Sequence, residues 1–317
     1  MIAATSKALF HTLARIDLLR RVASRYGMAP GYGFARRFIA GETTEEALAA
    51  ARTLGARGFG VSLDYLGESV ASVELAAQAA RDYVRLIDAV VEAGVERNLS
   101  LKLTQLGLDV DRATAVDNLR RVLDAAAPHG FFVRIDMENS PYTDATLDIL
   151  ETVWGLGFTG VGTVIQSCLL RSPGDIERLN RLGARVRLVK GAYREPDSVA
   201  HQRLEDVNAA FVRLAETLLA HNPYPAIATH DPLMIDAVKA YAAAHGIGRD
   251  RVEFQMLYGI RRDLQTQLLA DGYKVRVYVP FGKQWFPYFM RRLGERPANV
   301  GFVLRGILRD RHAGGDL

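Results

Sequence analysis

Eight short apolar runs recur along this chain, each followed by a segment of helical pattern, and that alternation sharply limits the folds open to it. The runs cover residues 58–66, 99–104, 131–138, 160–167, 184–193, 225–231, 252–259 and 274–282. Between them, segments such as 68–97, 111–127, 197–220 and 232–245 are rich in Ala, Leu, Arg and Glu, with apolar residues returning every 3.6 positions or so. Strand then helix, repeated, implies parallel strands joined by helical crossovers, and eight is the number that closes a (β/α)8 barrel. The repeat fills most of the 317 residues, close to the ~250 usual for that fold. A doubly wound open sheet is the alternative. Its glycine fingerprint, GxGxxG opening a helix after the first strand, is absent. Gly31-Tyr32-Gly33 precedes the first strand and is too short a match.

Residues 1–57 form an N-terminal helical segment expected to pack on the barrel, which takes up 58–317. Two helical stretches, 5–25 and 44–54, are joined through Gly27, Pro30, Gly31 and Gly33. Thr43 with Glu46 reads as a capping box at the start of the second. After Pro297 a short apolar segment leads to a polar end. No stretch rich in Pro, Gly or Ser separates these parts, which favours a single domain.

Bulk properties exclude several function classes. No apolar run is long enough to span a membrane. Lys7, Arg15, Asp17, Arg20 and Arg21 interrupt the first apolar positions, so no signal peptide is read there. A single cysteine, Cys168, rules out an internal disulfide and a cysteine-based zinc or iron–sulfur site, and fits a reducing cytoplasm. The net charge of +4 comes from arginines spread along the chain, which does not indicate nucleic-acid binding. It is compatible with loose contact at an anionic membrane surface.

In a (β/α)8 barrel the reactive groups stand at the carboxyl ends of the strands. The polar residues there are Asp64, Lys102, Asp136, Gln166, Lys190, His230, Gln255 and Tyr278. Buried charge is costly unless paired or ligand-bound, so eight such groups around one rim point to a site. One rim histidine is too few for a catalytic metal, and none is expected. The Gly191-Ala192 pair after Lys190 would let a flat or phosphorylated ligand approach the backbone. After the last run comes a helix, 283–293, in which Tyr288, Arg291, Arg292 and Glu295 share a face by their i, i+3, i+4, i+7 spacing. Two planar guanidinium groups beside tyrosines suit a carboxylate or phosphate. The plainer alternative is a solvated face on which Glu295 pairs with Arg291.

Taken in order, these motifs resemble the proline dehydrogenase family, in particular its short monofunctional bacterial branch. The matching pieces are Leu66-Gly67-Glu68, Leu101-Lys102-Leu103, Ile135-Asp136-Met137-Glu138, the run from Arg187 to Tyr193, Ala228-Thr229-His230, Glu253-Phe254-Gln255 through Gly259, and Tyr278 through Asn299. The resemblance implies a distorted (β/α)8 barrel and a non-covalent FAD. It implies oxidation of L-proline to Δ1-pyrroline-5-carboxylate, the first step of proline catabolism to glutamate. Electrons would pass to a quinone at the inner face of the cell membrane, and the product to a separate pyrroline-5-carboxylate dehydrogenase. The aldehyde dehydrogenase and DNA-binding regions of the longer bifunctional relatives are not expected.

Residue roles implied by the resemblance are as follows. Asp136 and Arg187 are catalytic. Arg291 and Arg292 bind the proline carboxylate, Lys102 completes that anion site and pairs with Asp136, and Tyr278, Tyr288 and Leu257 wall the ring. Gln166 and Arg187 hydrogen-bond the flavin. Val189, Lys190, Gly191, Ala192, Thr229 and His230 carry its phosphate and adenine parts, with Met137, Gln255 and Glu295 also in contact with the cofactor. Glu68 gates the site by pairing with Arg291. Asp231 departs from the family pattern, where asparagine often follows the histidine. Two rival readings stay open: a Schiff-base aldolase using Lys102 or Lys190, and a non-catalytic barrel that binds an anionic metabolite through Arg291 and Arg292.

Overall fold

The computed structural model describes Met28 and residues 34–295. Eight strands, β1 (Gly60–Tyr65), β2 (Asn98–Leu101), β3 (Phe132–Ile135), β4 (Val161–Gln166), β5 (Val186–Val189), β6 (Pro225–Ala228), β7 (Glu253–Leu257) and β8 (Lys274–Phe281), pair in sequence order. All pairings are parallel, and β8 returns to β1 along six residue pairs from Gly60↔Arg276 to Tyr65↔Phe281. The sheet is thus a closed barrel. Helix α1 (Thr44–Gly55) precedes it. Helices α2 (Val73–Ala93), α3 (Arg112–Ala126), α4 (Thr143–Gly155), α5 (Ser172–Leu182), α6 (Leu204–His221), α7 (Pro232–Ala244) and α8 (Arg262–Ala270) follow β1 to β7 in turn. The fold is the (β/α)8 barrel expected from the alternation.

Local signals explain where the elements begin and end. Thr43 caps α1 as a complete capping box: its hydroxyl accepts from Glu46 N, and Glu46 Oε2 accepts from Thr43 N. Ser72 caps α2, and Gly94 ends it at φ 63°, the left-handed region that glycine enters freely. The segments 68–97 and 197–220 are helical only from Val73 and Leu204 onward, because loops of the barrel's carboxyl face occupy their first residues. The expected helix 5–25 and the tail after Pro297 lie outside the described residues.

The apolar core sits between the strands and the helical ring, with Leu63, Leu99, Val133, Ile165, Leu188, Ile227, Phe254 and Val277 buried against it. The inside of the barrel is different. Interiors of this fold are ordinarily filled by bulky branched residues. Here Ser62, Ser100, Arg134, Arg187, Glu253, Gln255 and Arg276 are buried polar residues of the strands, and all but Arg134 are bonded to one another across the barrel. Buried charge is tolerable only with partners. Arg276 meets Glu253 at 3.0 Å and Glu96 at 2.7 Å, and Arg134 donates to the Thr163 and Arg185 carbonyls.

The last helix, α9 (Trp285–Glu295), does not join the ring. Helix α1 packs against β1 and β8, where an eighth ring helix would lie. Helix α9 instead buries Trp285, Phe286, Phe289 and Met290 against Met28, Phe38, Ile39, Leu66 and Ile260. Its Tyr288, Arg291 and Arg292 reach the cavity at the carboxyl ends of the strands. It starts two residues later than the spacing suggested, after Gly282 turns the chain at φ 120°.

Candidate active site

The runs around Lys102, Asp136 and Lys190 stop being strand one residue before each of those side chains, and β6 stops two residues before His230. These groups are therefore carried by the loops leaving the barrel, while Gln166, Gln255 and Tyr278 sit within β4, β7 and β8. Together they line one cavity of about 650 Å3. Met137, Arg187, Val189, Gly191, Ala192, Thr229, Leu257, Tyr288, Arg291 and Arg292 line it too. Glu68 is not part of the wall but reaches it through Arg291. Glu295 ends α9, and its side chain lies outside the described residues.

Six basic residues, Lys102, Arg187, Lys190, Arg261, Arg291 and Arg292, face two acidic ones, Asp136 and Asp231, around this wall. The cavity is built for an anion. Asp136 is its organising carboxylate. Its Oδ1 accepts from Arg187 Nη1 at 2.8 Å, and its Oδ2 accepts from the Tyr278 hydroxyl at 2.6 Å. The Arg187 guanidinium also donates to Gln255 Oε1 at 2.5 Å and Ser100 Oγ at 3.1 Å, and lies 5.2 Å from the Tyr278 ring centre. All three of its nitrogens are thereby fixed.

Lys102 was expected to pair with Asp136. It lies at 3.9 Å from Asp136 Oδ2 but at 3.6 Å from Asp64 Oδ1, so the nearer carboxylate is the fully buried Asp64. Burial works against the Lys102 charge, yet the two carboxylates outweigh it and hold the ammonium above the usual lysine range. Burial pushes the Asp64 carboxyl up, against the pull of Lys102. Burial likewise raises Tyr278, helped by Asp136 and Asp64, so its hydroxyl stays a donor.

Arg291 takes Glu68 as a partner; whether Glu295 joins it lies outside the described residues. Arg291 Nη1 donates to both Glu68 oxygens, at 2.9 and 3.0 Å. Ser69, next to Glu68, adopts φ 55°, a strained backbone for a residue other than glycine, and its N–H donates to Thr104 Oγ1. Arg292 stacks over the Tyr288 ring at 5.1 Å. The lining also holds a glycine with a tightly set backbone. Gly191 sits at φ 111°, and a Cβ there would stand 2.3 Å from Cys168 Sγ. Gln166 is anchored by its Nε2 on the Glu138 carbonyl, and Thr229 Oγ1 accepts from Asp231 N. His230 Nε2 accepts from Leu257 N at 2.9 Å, which puts the ring's proton on Nδ1 when neutral. Asp231 has a role of its own: it caps α7 through Leu233 N and accepts from Lys190 Nζ at 2.6 Å.

Sequence reasoning gave no site role to Ser100, Tyr193 or Glu138. Tyr193 lines the cavity, and Glu138 is buried behind it on Thr104. Both were in the quoted motifs, so proximity to Lys190 and Asp136 was an available signal. Ser100 left none, because a serine inside an apolar strand reads as packing.

Comparison with known proteins identifies the family. The family model described as proline dehydrogenase matches residues 47–305. The proline dehydrogenase of Deinococcus radiodurans is 44% identical over 88% of this chain and 91% of its own length. Proline dehydrogenase 1 of Bacillus subtilis strain 168 is 42% identical over 95% of this chain and 98% of its own. The crystal structure of proline utilization A (PutA) from Bdellovibrio bacteriovorus, inactivated by N-propargylglycine, superposes with a TM-score of 0.77 at 26% identity. That match covers 82% of this chain but 32% of the much longer PutA chain. By the family model and by relatives that match along nearly their whole length, this chain belongs to the proline dehydrogenase family.

Proposed function

We propose that this enzyme oxidises L-proline to Δ1-pyrroline-5-carboxylate with a non-covalent FAD and passes the electrons to a membrane quinone. The observation that carries the reading is the meeting of two chemistries in one cavity. Its lining combines Arg291, Arg292 and Lys102 with Tyr278, Tyr288 and Leu257, and it also includes the run 189–192 with Gln166, Arg187, Thr229 and His230.

The residues fit FAD. A cavity of about 650 Å3 exceeds what a proline fills. Its lining includes polar groups held in place, Gln166 and Arg187, and a glycine whose missing Cβ keeps the backbone open. Gln166 and Arg187 would hold the ring system, with Met137 and Gln255 beside it. Val189, Lys190, Gly191, Ala192, Thr229 and His230 would hold the phosphate and adenine parts. When bound, the cofactor supplies the acceptor for the hydride and so the two electrons of the oxidation.

The chain's own residues do the rest. Arg291 and Arg292 take the proline carboxylate by charge-assisted bonds, and the Lys102 ammonium adds a third positive charge. Tyr278, Tyr288 and Leu257 wall the pyrrolidine ring so that one carbon next to nitrogen is presented in a fixed orientation. Asp136 holds the Tyr278 hydroxyl and the Arg187 guanidinium in place by one oxygen each. Arg187 puts positive charge where negative charge builds up in the reaction. Glu68 holds Arg291 at the entrance, and the strained Ser69 beside it marks the segment that opens and closes. The aldolase reading has less support: its nucleophile must be a neutral amine, whereas Lys102 lies between two carboxylates and Lys190 is bonded to Asp231.

The quinone acceptor would bring the protein to the inner face of the cell membrane as a peripheral visitor. No helix among the described residues is long and apolar enough to cross a bilayer. A separate pyrroline-5-carboxylate dehydrogenase would take the product.

Deuterium labelling tests the reading. L-proline carrying two deuterium atoms on the ring carbon next to nitrogen is incubated with the FAD-supplied protein and a soluble quinone. The expected product retains one of the two. A product that keeps both and loses the hydrogen of the carboxylate-bearing carbon instead, or no product, would overturn it.

A further inference from the structure

From the Arg187 guanidinium and the cavity-lining Gln255 a chain of buried polar groups runs back into the barrel, and beyond Gln255 the mechanism above does not use it. Arg187 Nε donates to Gln255 Oε1, and Gln255 Nε2 donates to Glu253 Oε1, each at 2.5 Å. Glu253 is 3% exposed and is not part of the cavity wall. It also accepts from Arg276 Nε and Nη2 at 3.1 and 3.0 Å, and from the Tyr224 hydroxyl at 2.6 Å. Arg276 continues to Glu96 Oε1 at 2.7 Å, near the opposite end of the barrel.

A glutamine amide has two orientations of nearly the same shape. Between these neighbours only one works, because a guanidinium only donates and an ionised carboxylate only accepts. Burial pushes the Glu253 carboxyl up, but Arg276, Tyr224 and Gln255 together outweigh it and hold it below the usual carboxylate range. It is therefore an anion at neutral pH. With that charge in place, Gln255 must turn its oxygen to Arg187.

We propose that Glu253 is a positioning residue for the oxidation: through the Gln255 amide it fixes Arg187 Nε, and with it the plane of the guanidinium that lines the cavity. This rests on reading the cavity as a flavin site. An electrostatic group acts only as well as it is held, and the partners behind it do the holding.

The test compares wild type with Glu253→Gln, Gln255→Met and the double variant, each loaded with FAD. Three quantities are read: the midpoint potential of the bound flavin, the rate of its anaerobic reduction at saturating L-proline, and the concentration of proline giving half that rate. A glutamine at 253 no longer gives the Gln255 nitrogen a charged acceptor, so the Gln255 amide is held less firmly and its bond to Arg187 Nε loosens. The potential should shift negative and the saturating rate should fall about tenfold or more, with the half-saturating concentration within about twofold, because the carboxylate site is untouched. Gln255→Met should do the same, and the double variant should be no worse than the poorer single one.

A Glu253→Gln protein with wild-type potential and rate overturns the proposal, as do effects that simply add in the double variant. Should Glu253→Gln fail to fold, Glu253→Asp keeps the charge for Arg276 but draws it back from Gln255. It should show a smaller shift of the same sign, and wild-type values would count against the proposal. A wild-type protein that binds no flavin sinks the functional reading itself, and is seen before any variant is made.

Discussion

Asp136→Asn removes the charge from the carboxylate on which the cavity's other groups converge. The two side chains have nearly the same shape, so the change is chemical rather than steric. Arg187 can only donate, so the amide oxygen must stay toward Arg187 Nη1, now 2.8 Å from a neutral acceptor instead of a charged one. The amide nitrogen then faces the Tyr278 hydroxyl, which sits 2.6 Å from Oδ2 and donates to it in the wild type. Its proton has to turn away, and the hydroxyl oxygen then accepts from the amide, a neutral bond in place of a charge-assisted one. Lys102 is left with Asp64 alone, at 3.6 Å. A hydrogen bond involving a charged group contributes about 1.5–3 kcal/mol, and breaking a buried pair outright costs about 3–5. Arg187 keeps Gln255 and Ser100, so the pair is weakened, not emptied. The expected loss in the transition state is about 2–4 kcal/mol, or roughly 30- to 1000-fold in kcat/KM for L-proline. Steady-state oxidation with a soluble quinone measures it, with flavin content checked for each sample. A kcat/KM within about threefold of wild type would refute the reasoning.

Arg292→Ala should raise KM for L-proline by the equivalent of about 2–4 kcal/mol, with a much smaller change in kcat, since it removes binding rather than chemistry; an unchanged KM would take Arg292 out of the carboxylate site. Gly191→Ala should abolish FAD retention on gel filtration, because the backbone is at φ 111° and the new Cβ would stand 2.3 Å from Cys168 Sγ; a variant that stays yellow would mean that this stretch does not meet the cofactor. Asp64 should make the protein less stable as pH rises. Its folded carboxyl titrates above the unfolded one, so the native state binds more protons in the window that starts near pH 4, and stability falls upward through it. Asp64→Asn should flatten the fall of Tm as pH rises above the ordinary carboxylate range, and an unaltered slope would show that Asp64 is not the group responsible.

The barrel was legible because parallel strands are buried on both faces and so read as unbroken apolar runs. The carboxyl rim was legible for the same reason: Lys102, Asp136 and Lys190 stand where each run should have continued apolar. The barrel interior was not. Arg134, Glu253 and Arg276 stand on their strands where a linear sequence reads them as solvent-facing positions. Partners come from elsewhere in the chain, such as Glu96 just before β2, which meets Arg276 across 180 positions. The same limit applies to Arg291. Helical spacing offers Glu295, four residues on, but gives no hint of Glu68, which the fold brings in from the loop after β1, 223 positions away in sequence. The nearer partner of Lys102 could not be chosen either, because Asp64 and Asp136 both stand on the rim and only the coordinates rank their distances.

Anaerobic addition of L-proline to the purified, FAD-loaded protein tests the central claim most directly. The account predicts that L-proline bleaches the visible flavin bands, and that pyrrolidine, with the same ring and amine but no carboxylate for Arg291 and Arg292, leaves them intact at the same concentration. Bands that survive L-proline, or that pyrrolidine bleaches as readily, would contradict it.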